Sequence, residues 1–144
     1  MAQPGFAKDH VERYRATGGA DGHIWTGFDG DGHFPCLLLT TTGRKSGDPR
    51  TTPLIYGEDS GRYVVIASQG GRPAHPGWYF NLVETPNVEV QVEDRVFAAA
   101  ASVAGADERG RLWSMMAKIY PPYDDYQEKA GGIREIPVVL LTPA

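Results

Sequence analysis

Two β-rich runs joined by a five-residue turn limit what the first half of this chain can fold into. The runs are CLLLTTTG, from Cys36, and PRTTPLIYG, from Pro49, and the connection between them is RKSGD. Thr, Ile and Tyr favour extended backbone, whereas Ser, Gly and Asp favour turns. The short connection predicts an antiparallel hairpin, because parallel strands need a much longer crossover.

The later part of the chain continues the β pattern. GRYVVIASQGG predicts a strand that is buried at 64–67 and ends in a Gly-Gly turn. NVEVQV alternates apolar and polar residues, and Glu93-Asp94 then turns the chain into another β run, which predicts a second hairpin. The apolar residues of IREIPVVLLTP predict a closing strand.

Helical signals stand between and before these strands. Ala7–Thr17 contains no helix breaker and stops at a glycine pair, which predicts a short N-terminal helix. HPGWYFNLVETP predicts a helix of about two turns. A longer helix, with Asp107 as its N-cap, is predicted by apolar residues at helical spacing, and after Pro121-Pro122 the segment YDDYQEKAGG adds a further turn. The apolar face of the longer helix consists of Leu112, Met115, Met116 and Ile119.

The order of these elements favours an α+β barrel over a doubly wound sheet. Residues 20–35, rich in Gly and Asp, are expected to form a loop or an irregular strand over the core. No internal repeat or linker interrupts the 144 residues, so we expect one domain.

Composition excludes several classes of function. A formal net charge of −4 gives no general attraction to nucleic acid or to acidic membranes. No apolar run reaches the roughly 18 residues that a membrane span needs, and no secretory leader is evident at the N-terminus. The single Cys36 excludes an intrachain disulfide and is expected to be a small buried hydrophobe, which fits a reducing cytoplasm.

The predicted hairpin tip carries Arg44, Lys45 and Arg50 close together. One interpretation is a solvated turn in which Asp48 offsets part of the charge. The other is an anion cradle, in which Arg and Lys bind phosphate or carboxylate while Thr hydroxyls and turn N–H groups add donors. The spacing matches neither a Walker loop nor a G-x-G-x-x-G nucleotide motif.

A second candidate site is the strand end in ASQGGRPAHPGWYFNL. Glycines there would let bare backbone N–H groups approach a flat ligand, although a tight turn needs the same residues. Ser68 and His75 lack a G-x-S-x-G elbow and an acid that would orient the histidine, which argues against a hydrolase. The four histidines lack metal-ligand spacing, so no metal site is expected.

A third candidate is the series Tyr120, Tyr123 and Tyr126, whose spacing places the rings along one side of a helical segment. The series fits either an aromatic patch that seals the end of the barrel or a pocket wall for a planar substrate. The basic turn, the glycine-rich strand end and the phenols together indicate a long, flat cofactor with an anionic tail and a redox substrate stacked on it.

The motifs LTTTGRKSGDPRTTPL, VVIASQGGRPAHPGWYFNL and NVEVQV resemble the deazaflavin-dependent nitroreductase family, actinobacterial proteins that bind coenzyme F420. The resemblance runs from about Cys36 to the C-terminus. It implies an antiparallel, FMN-binding-like split β-barrel with short flanking helices, formed by residues 36–144. Residues 1–35 would then be an N-terminal helix and loop that cover the pocket.

The resemblance also implies roles for individual residues. Tyr120, Tyr123 and Tyr126 would bind the substrate. The catalytic candidates would be Tyr123, Tyr126 and Ser68. Where Gln69 stands, relatives often carry a basic residue. The implied cofactor-binding residues are Thr42, Gly43, Arg44, Lys45, Ser46, Arg50, Pro53, Leu54, Ala67, Ser68, Gln69, Gly70, Gly71 and Trp78.

The function implied is that of an F420-dependent reductase, which passes a hydride from reduced deazaflavin to a quinone, an activated C=C bond or a nitro-heteroaromatic compound. Two alternatives stay open: an FMN-dependent oxidoreductase on the same barrel, and a carrier that binds F420 without turnover. The expected partner is a small redox substrate in the cytoplasm, and a quinone acceptor would make peripheral contact with the inner face of the membrane natural.

Overall fold

The computed structural model describes residues 4–28 and 30–144, which form an antiparallel sheet flanked by helices. The helices are α1 (Pro4–Thr17), α2 (Gly77–Glu84), α3 (Ala106–Ile119) and α4 (Pro122–Ala130). The strands are β1 (Ile24–Trp25), β2 (Phe34–Thr42), β3 (Pro49–Ile55), β4 (Gly57–Asp59), β5 (Arg62–Ile66), β6 (Asn87–Val92), β7 (Arg95–Val103) and β8 (Val138–Pro143). A 3-10 turn, Gln69–Gly71, follows β5.

The sheet has the order β1-β2-β6-β7-β8-β5-β4, and β3 pairs with β2 outside this path. All of these pairings are antiparallel. The sheet curls until β3 lies against β5, which gives the partly open barrel that the α+β prediction requires. Both predicted hairpins are confirmed: Thr42 pairs with Pro49 at the basic turn, and Val92 pairs with Arg95 at the second turn.

Two details differ from the sequence prediction. A short strand, β4, pairs with β5, although GED carries no apolar alternation that would have indicated it. The segment at 20–35, expected to be a loop or an irregular strand, contains the two-residue strand β1, which pairs with β2. Asp107 is not the N-cap of α3: Gly105 holds that position without a side-chain cap, and Asp107 lies in the first helical turn, where a carboxylate still favours the helix dipole.

Alternation along β2 divides the core. Leu37 and Leu39 point into a barrel cluster with residues of β5, β6 and β8. Cys36 belongs to a second cluster between the sheet and the pair α3 and α4, which buries Leu112 and Met116. Met115 and Ile119 are partly buried there, so the predicted apolar face of α3 is confirmed. The cysteine is free and buried, as expected.

Helix α1 is fixed to the sheet by Tyr14, which is fully buried. Its hydroxyl donates to the Cys36 carbonyl at 2.9 Å and accepts from the Glu93 amide at 2.8 Å. Burial raises the pKa of Tyr14 to about 12, so the phenol keeps its proton for the donated bond. This attachment sets where the segment after α1 crosses the barrel.

Candidate functional site

A cavity of about 400 Å³ opens between β3, the end of β5, the start of α2 and the tyrosines of α3 and α4. Residues from these five elements meet there, as expected of a ligand site on a barrel. Nine residues predicted from the sequence line it: Pro53, Leu54, Ser68, Gln69, Gly70, Trp78, Tyr120, Tyr123 and Tyr126. The structure thus brings the glycine-rich strand end and the tyrosine series to one cavity.

The strand end adopts a backbone that few residues tolerate. Gln69, Gly70 and Gly71 have φ values of 46°, 64° and 78°, all in the left-handed region. A Cβ on Gly71 would lie 2.7 Å from the Tyr126 carbonyl oxygen and 2.9 Å from the Tyr126 Cα. Glycine at 71 therefore allows the strand end to lie directly against α4. Ala67, also predicted, is fully buried behind this turn.

The basic hairpin tip lies beside the cavity rather than in its wall. The Arg44 guanidinium donates to Asn81 Oδ1 at 2.9 Å and to the Gly77 carbonyl at 3.2 Å. Asn81 is buried and donates in turn to Thr41 Oγ1 at 3.1 Å. Because Gly77 lines the cavity, Arg44 joins the tip to the cavity edge.

The charge at the tip is not neutralised by carboxylates. Among residues 4–28 and 30–144, no Asp or Glu forms a salt bridge with Arg44, Lys45 or Arg50. The turn closes on itself instead, since the Gly43 amide donates to Asp48 O at 2.8 Å and the Asp48 amide donates to Ser46 Oγ at 3.2 Å. The exposed side chains of Lys45 and Arg50 are left to face solvent. Asp48 lies in the same turn, but within the described residues it forms no ion pair with these cations.

The predicted residues Thr42, Gly43 and Ser46 also stay outside the cavity lining. They shape the turn rather than the pocket. A Cβ on Gly43 would lie 2.9 Å from Ser46 Oγ and 3.0 Å from Asp48 O, so glycine permits the tight chain reversal. The turn therefore presents its cations on a compact backbone.

The three tyrosines form one wall of the cavity. Tyr120 and Tyr123 are buried, with ring centroids 4.9 Å apart, and Tyr126 is half-buried. The Tyr120 and Tyr126 hydroxyls lie 3.1 Å apart, within hydrogen-bond distance. Burial raises the pKa of Tyr123 far above its ordinary value, so its phenol stays protonated and can donate.

Sequence reasoning missed several cavity residues from the N-terminal part of the chain. His10, Trp25 and Phe28 line the cavity, and the Trp25 ring lies 6.1 Å from that of Tyr120. Trp25 and Phe28 stand among glycines in the segment expected to be a loop or an irregular strand, and His10 stands in the predicted N-terminal helix. The resemblance implied that residues 1–35 cover the pocket but singled out none of the three. Cys36 also lines the cavity, but burial raises the pKa of its thiol to about 12, so it is no ready nucleophile.

A further residue that the sequence did not indicate is Arg134. It lies between β8 and the glycine-rich strand end, and its guanidinium donates to the Ser68 carbonyl at 2.6 Å. The same guanidinium lies 2.9 Å from His75 Nδ1, so His75 faces a cation rather than an orienting acid. This arrangement agrees with the argument against a Ser-His hydrolase.

Two absences concern the described part of the chain. No cluster of three or more His, Cys, Asp or Glu residues with metal-binding geometry occurs there. None of its helices combines the length and the apolar character required to cross a bilayer.

The fold and the cavity together define a class: a split β-barrel with a cavity walled by tyrosines and a cationic turn beside it. Residues 6–143 match the model of a family described as F420H(2)-dependent quinone reductase. The chain belongs to this family of oxidoreductases, which use coenzyme F420.

Relatives agree with the family match. An F420H(2)-dependent quinone reductase from Mycobacterium tuberculosis is 40% identical over 136 residues, covering 92% of this chain and 87% of the relative. A solved structure described as an F420-H2 dependent reductase is 44% identical, with a TM-score of 0.68 over 74% of this chain and 93% of the other. Another, described as a domain-swapped dimer, is 37% identical, with a TM-score of 0.69 over 93% and 95% of the two chains.

More distant structures share the fold alone. A heme storage protein from Vibrio cholerae is 18% identical, with a TM-score of 0.57 over 76% of this chain and 81% of that protein. The expected split barrel is thereby confirmed, as is the resemblance on which it was based.

Proposed function

We propose that this protein reduces quinone-class acceptors with a hydride taken from reduced F420, which binds with its acidic tail at the hairpin tip and its ring in the cavity. The observation that carries the proposal is the continuity of the site. Arg44 bonds to Gly77 at the cavity edge, and the tyrosine wall stands within the same cavity. One elongated molecule can therefore reach both the unpaired cations and the phenols.

The residues present fit such a cofactor. Arg44, Lys45 and Arg50 supply positive charge that no carboxylate of the described chain neutralises, and phosphate takes charge-assisted hydrogen bonds from such groups. Thr42, Gly43 and Ser46 form the turn that holds these cations. The ring has an apolar floor in Pro53, Leu54 and Trp78, and Ser68, Gln69 and Gly70 bring backbone to its edge. Ala67 and Gly71 shape that edge from behind.

When bound, reduced F420 supplies a hydride from its ring. The protein orients donor and acceptor and excludes water, and bringing the two reacting atoms to about 3–3.5 Å removes a large part of the barrier. A quinone that accepts a hydride also gains one proton, and charge builds on its oxygen. Tyr123, Tyr126 and Ser68 are the groups that can donate hydrogen bonds to that oxygen.

The raised pKa of Tyr123, caused by its burial, supports one role for this residue over another. A phenol that ionises only well above neutral pH is a poor proton source, so Tyr123 stabilises the charged oxygen by a hydrogen bond and keeps its proton. Tyr126 is half-buried and bonded to Tyr120, which leaves it nearer to solvent. We assign to Tyr126 the contact through which solvent returns the proton.

We also propose that residues 1–35 cover the acceptor end of the cavity, while 36–144 form the cofactor-binding barrel. His10, Trp25 and Phe28 support this, since each lines the cavity. The Trp25 ring meets Phe28 edge to face at 4.8 Å, which makes an apolar lid for a flat acceptor. Residues 1–3 and Asp29 lie outside the described part of this segment.

Spectral titration of the purified protein with F420, FMN and NADPH tests the cofactor, and turnover of reduced F420 with a soluble naphthoquinone tests the reaction. We expect saturable binding of F420 in preference to the other two, and quinone-dependent oxidation of the reduced form. Preferential binding of FMN would favour a flavin oxidoreductase. Tight binding of F420 without turnover across quinone, enone and nitro-heteroaromatic acceptors would favour a carrier.

A further inference from the structure

We propose that Arg134 is a positioning residue for the cofactor ring: it clamps the backbone of residues 67–72 so that the Ser68 and Gln69 amide N–H groups face the cavity. The inference rests on the proposed function for the identity of the ligand. The clamp itself is a property of the protein without ligand.

The clamp joins one side chain to four acceptors. The Arg134 guanidinium donates to the carbonyls of Ala67 at 3.1 Å, Ser68 at 2.6 Å and Arg72 at 2.8 Å. It also lies 2.9 Å from His75 Nδ1. The planar set of N–H donors that only arginine carries suits such a convergent group of oxygens, and lysine could satisfy only part of it.

The geometry of the peptide bond relates the carbonyls bound by Arg134 to the N–H groups that face the cavity. In a planar trans peptide, the carbonyl of one residue and the N–H of the next point in opposite directions. Because the carbonyls of Ala67 and Ser68 point to Arg134, the N–H groups of Ser68 and Gln69 point away from it. Ser68 and Gln69 line the cavity, so these N–H groups are presented to the carbonyl and ring-nitrogen acceptors of a flat heterocycle.

The local backbone explains why a clamp is needed. Gln69 has a φ of 46°, a left-handed conformation that is unfavourable for a residue with a side chain. Such a conformation persists only when surrounding contacts fix it. Arg134 provides that fixation from a distant part of the chain, and burial lowers its pKa without removing its charge.

His75 completes the clamp as an acceptor. Burial, and then the charge of Arg134, lower the pKa of His75, so its ring is neutral and Nδ1 can accept. The groups packed against it are the Tyr79 and Phe80 rings of α2, at 4.7 and 5.7 Å, and the guanidinium of Arg134. Arg44 stacks on Phe80 at 5.3 Å, which adds a second cation to that side. Protonation of His75 would remove the acceptor at Nδ1 and place a second positive charge beside Arg134. The resulting repulsion would open the clamp.

The test uses Arg134→Gln and Arg134→Lys in the full chain. Two measurements are made: hydrogen exchange without ligand at the Gly71 and Arg72 amides, which donate to the Ser68 and Gln69 carbonyls, and the dissociation constant for F420 by spectral titration. We expect faster exchange at Gly71 and Arg72 and about 10-fold or greater weakening of F420 binding in Arg134→Gln. Arg134→Lys keeps the charge but loses the fork, so it should fall between this variant and the wild type. With reduced F420 as the varied substrate, KM should rise more than kcat falls.

Arg109→Gln is the matched control. Arg109 is also half-buried and also donates to a main-chain carbonyl, that of Ile136 at 2.8 Å, but it does not touch the strand end. A purely structural role for Arg134 would make the two variants alike at equal loss of stability, whereas we expect Arg109→Gln to retain F420 affinity and slow exchange at the Gly71 and Arg72 amides.

Unchanged exchange at the Gly71 and Arg72 amides in both Arg134 variants would overturn the clamp. Faster exchange with unchanged F420 affinity would overturn the assignment of the amides to the ring. If the wild type did not bind F420, the proposed function and that assignment would fall together, and the exchange measurement would still decide the clamp. If Arg134→Gln did not fold, Arg134→Lys would decide both points.

Discussion

The two ends of the proposed binding site, the hairpin tip beside the cavity and the tyrosine wall within it, are built on different physics. At the hairpin tip, exposed cations stand on a turn closed by its own backbone, and Lys45 and Arg50 face solvent. At the other end, Tyr120 and Tyr123 are buried among aromatic rings, and α4 lies against the backbone of Gly71. The first end offers charge to a ligand, whereas the second end offers a closely packed surface.

This difference indicates which end provides binding affinity and which end fixes the position of the ligand. Charges in solvent attract over a distance set by salt and tolerate movement of their partner. Packed rings and tight glycine contacts tolerate almost none. We therefore expect changes at the tip to weaken binding while leaving the fold intact, and changes at the tyrosine end to alter stability or turnover while leaving tail binding intact.

The largest effect is expected from Gly71→Ala. The new Cβ would meet the Tyr126 backbone at 2.7 Å and keep an unfavourable φ of 78°, a combined cost of roughly 2–5 kcal/mol in the free energy of unfolding. Urea unfolding measures it. Gly61→Ala is the matched control, since Gly61 has a φ of 79° but nothing within 4 Å of its Cβ, and it should cost only the conformational part. Equal losses in the two variants would refute the contact with α4.

Arg50→Ala should act almost wholly on binding. A charge-assisted hydrogen bond to phosphate contributes about 1.5–3 kcal/mol, so the dissociation constant for F420 should rise roughly 10- to 100-fold with the unfolding midpoint unchanged. Titration at two salt concentrations should also give a weaker salt dependence than in the wild type. Arg44→Ala should weaken binding similarly but also loosen the tip, because Arg44 bonds to Asn81. Unaltered F420 affinity in both variants would show that the acidic tail of F420 does not bind at this turn.

Tyr123→Phe should separate turnover from binding at the opposite end. It removes one donor to the acceptor oxygen and leaves the ring packing, so kcat with a naphthoquinone should fall about 3- to 10-fold, as for a hydrogen bond of about 1 kcal/mol. The dissociation constant for F420 should stay within a factor of about two, since the tip is untouched. Stopped-flow oxidation of reduced F420 measures the change. If Tyr123→Phe weakened F420 binding as much as Arg50→Ala, the proposed division between binding at the tip and turnover at the tyrosine wall would be wrong.

The smallest effect on stability is expected where arginines are paired with a carboxylate. This site serves as a comparison with the arginines of the tip, which have no such partner among the described residues. Arg62 and Arg111 bind Asp59 at 2.6 and 2.7 Å, and hydrogen bonds from Arg111 and Arg62 lower the pKa of Asp59 to about 2. A lowered pKa in the folded state means that this stabilisation is complete above the ordinary carboxyl range near 4 and is lost as pH falls towards 2. Asp59→Asn should therefore unfold more easily at neutral pH, with the difference from wild type shrinking over that acid window.

The parts predicted from sequence were those with local causes. The hairpin between β2 and β3 follows from turn residues between β-rich runs, and the tyrosine wall follows from helical spacing before and within α4. Arg134 could not be predicted, because its partners are mainly main-chain carbonyls some 60 residues away, which leave no side-chain pattern. Trp25 and Phe28 escaped for a related reason, since only the crossing of α1 over the sheet brings them to the cavity. Assignment of individual roles to the cavity residues stays a prediction.

The absence of a side chain at Gly71 has a mechanical consequence. With no side chain between them, the turn at residues 69–71 and helix α4 are in direct backbone contact. In the proposed binding mode, an acceptor wide enough to displace α4 would therefore also disturb the turn beside the coenzyme. A wider range of acceptors would then weaken the hold on the coenzyme.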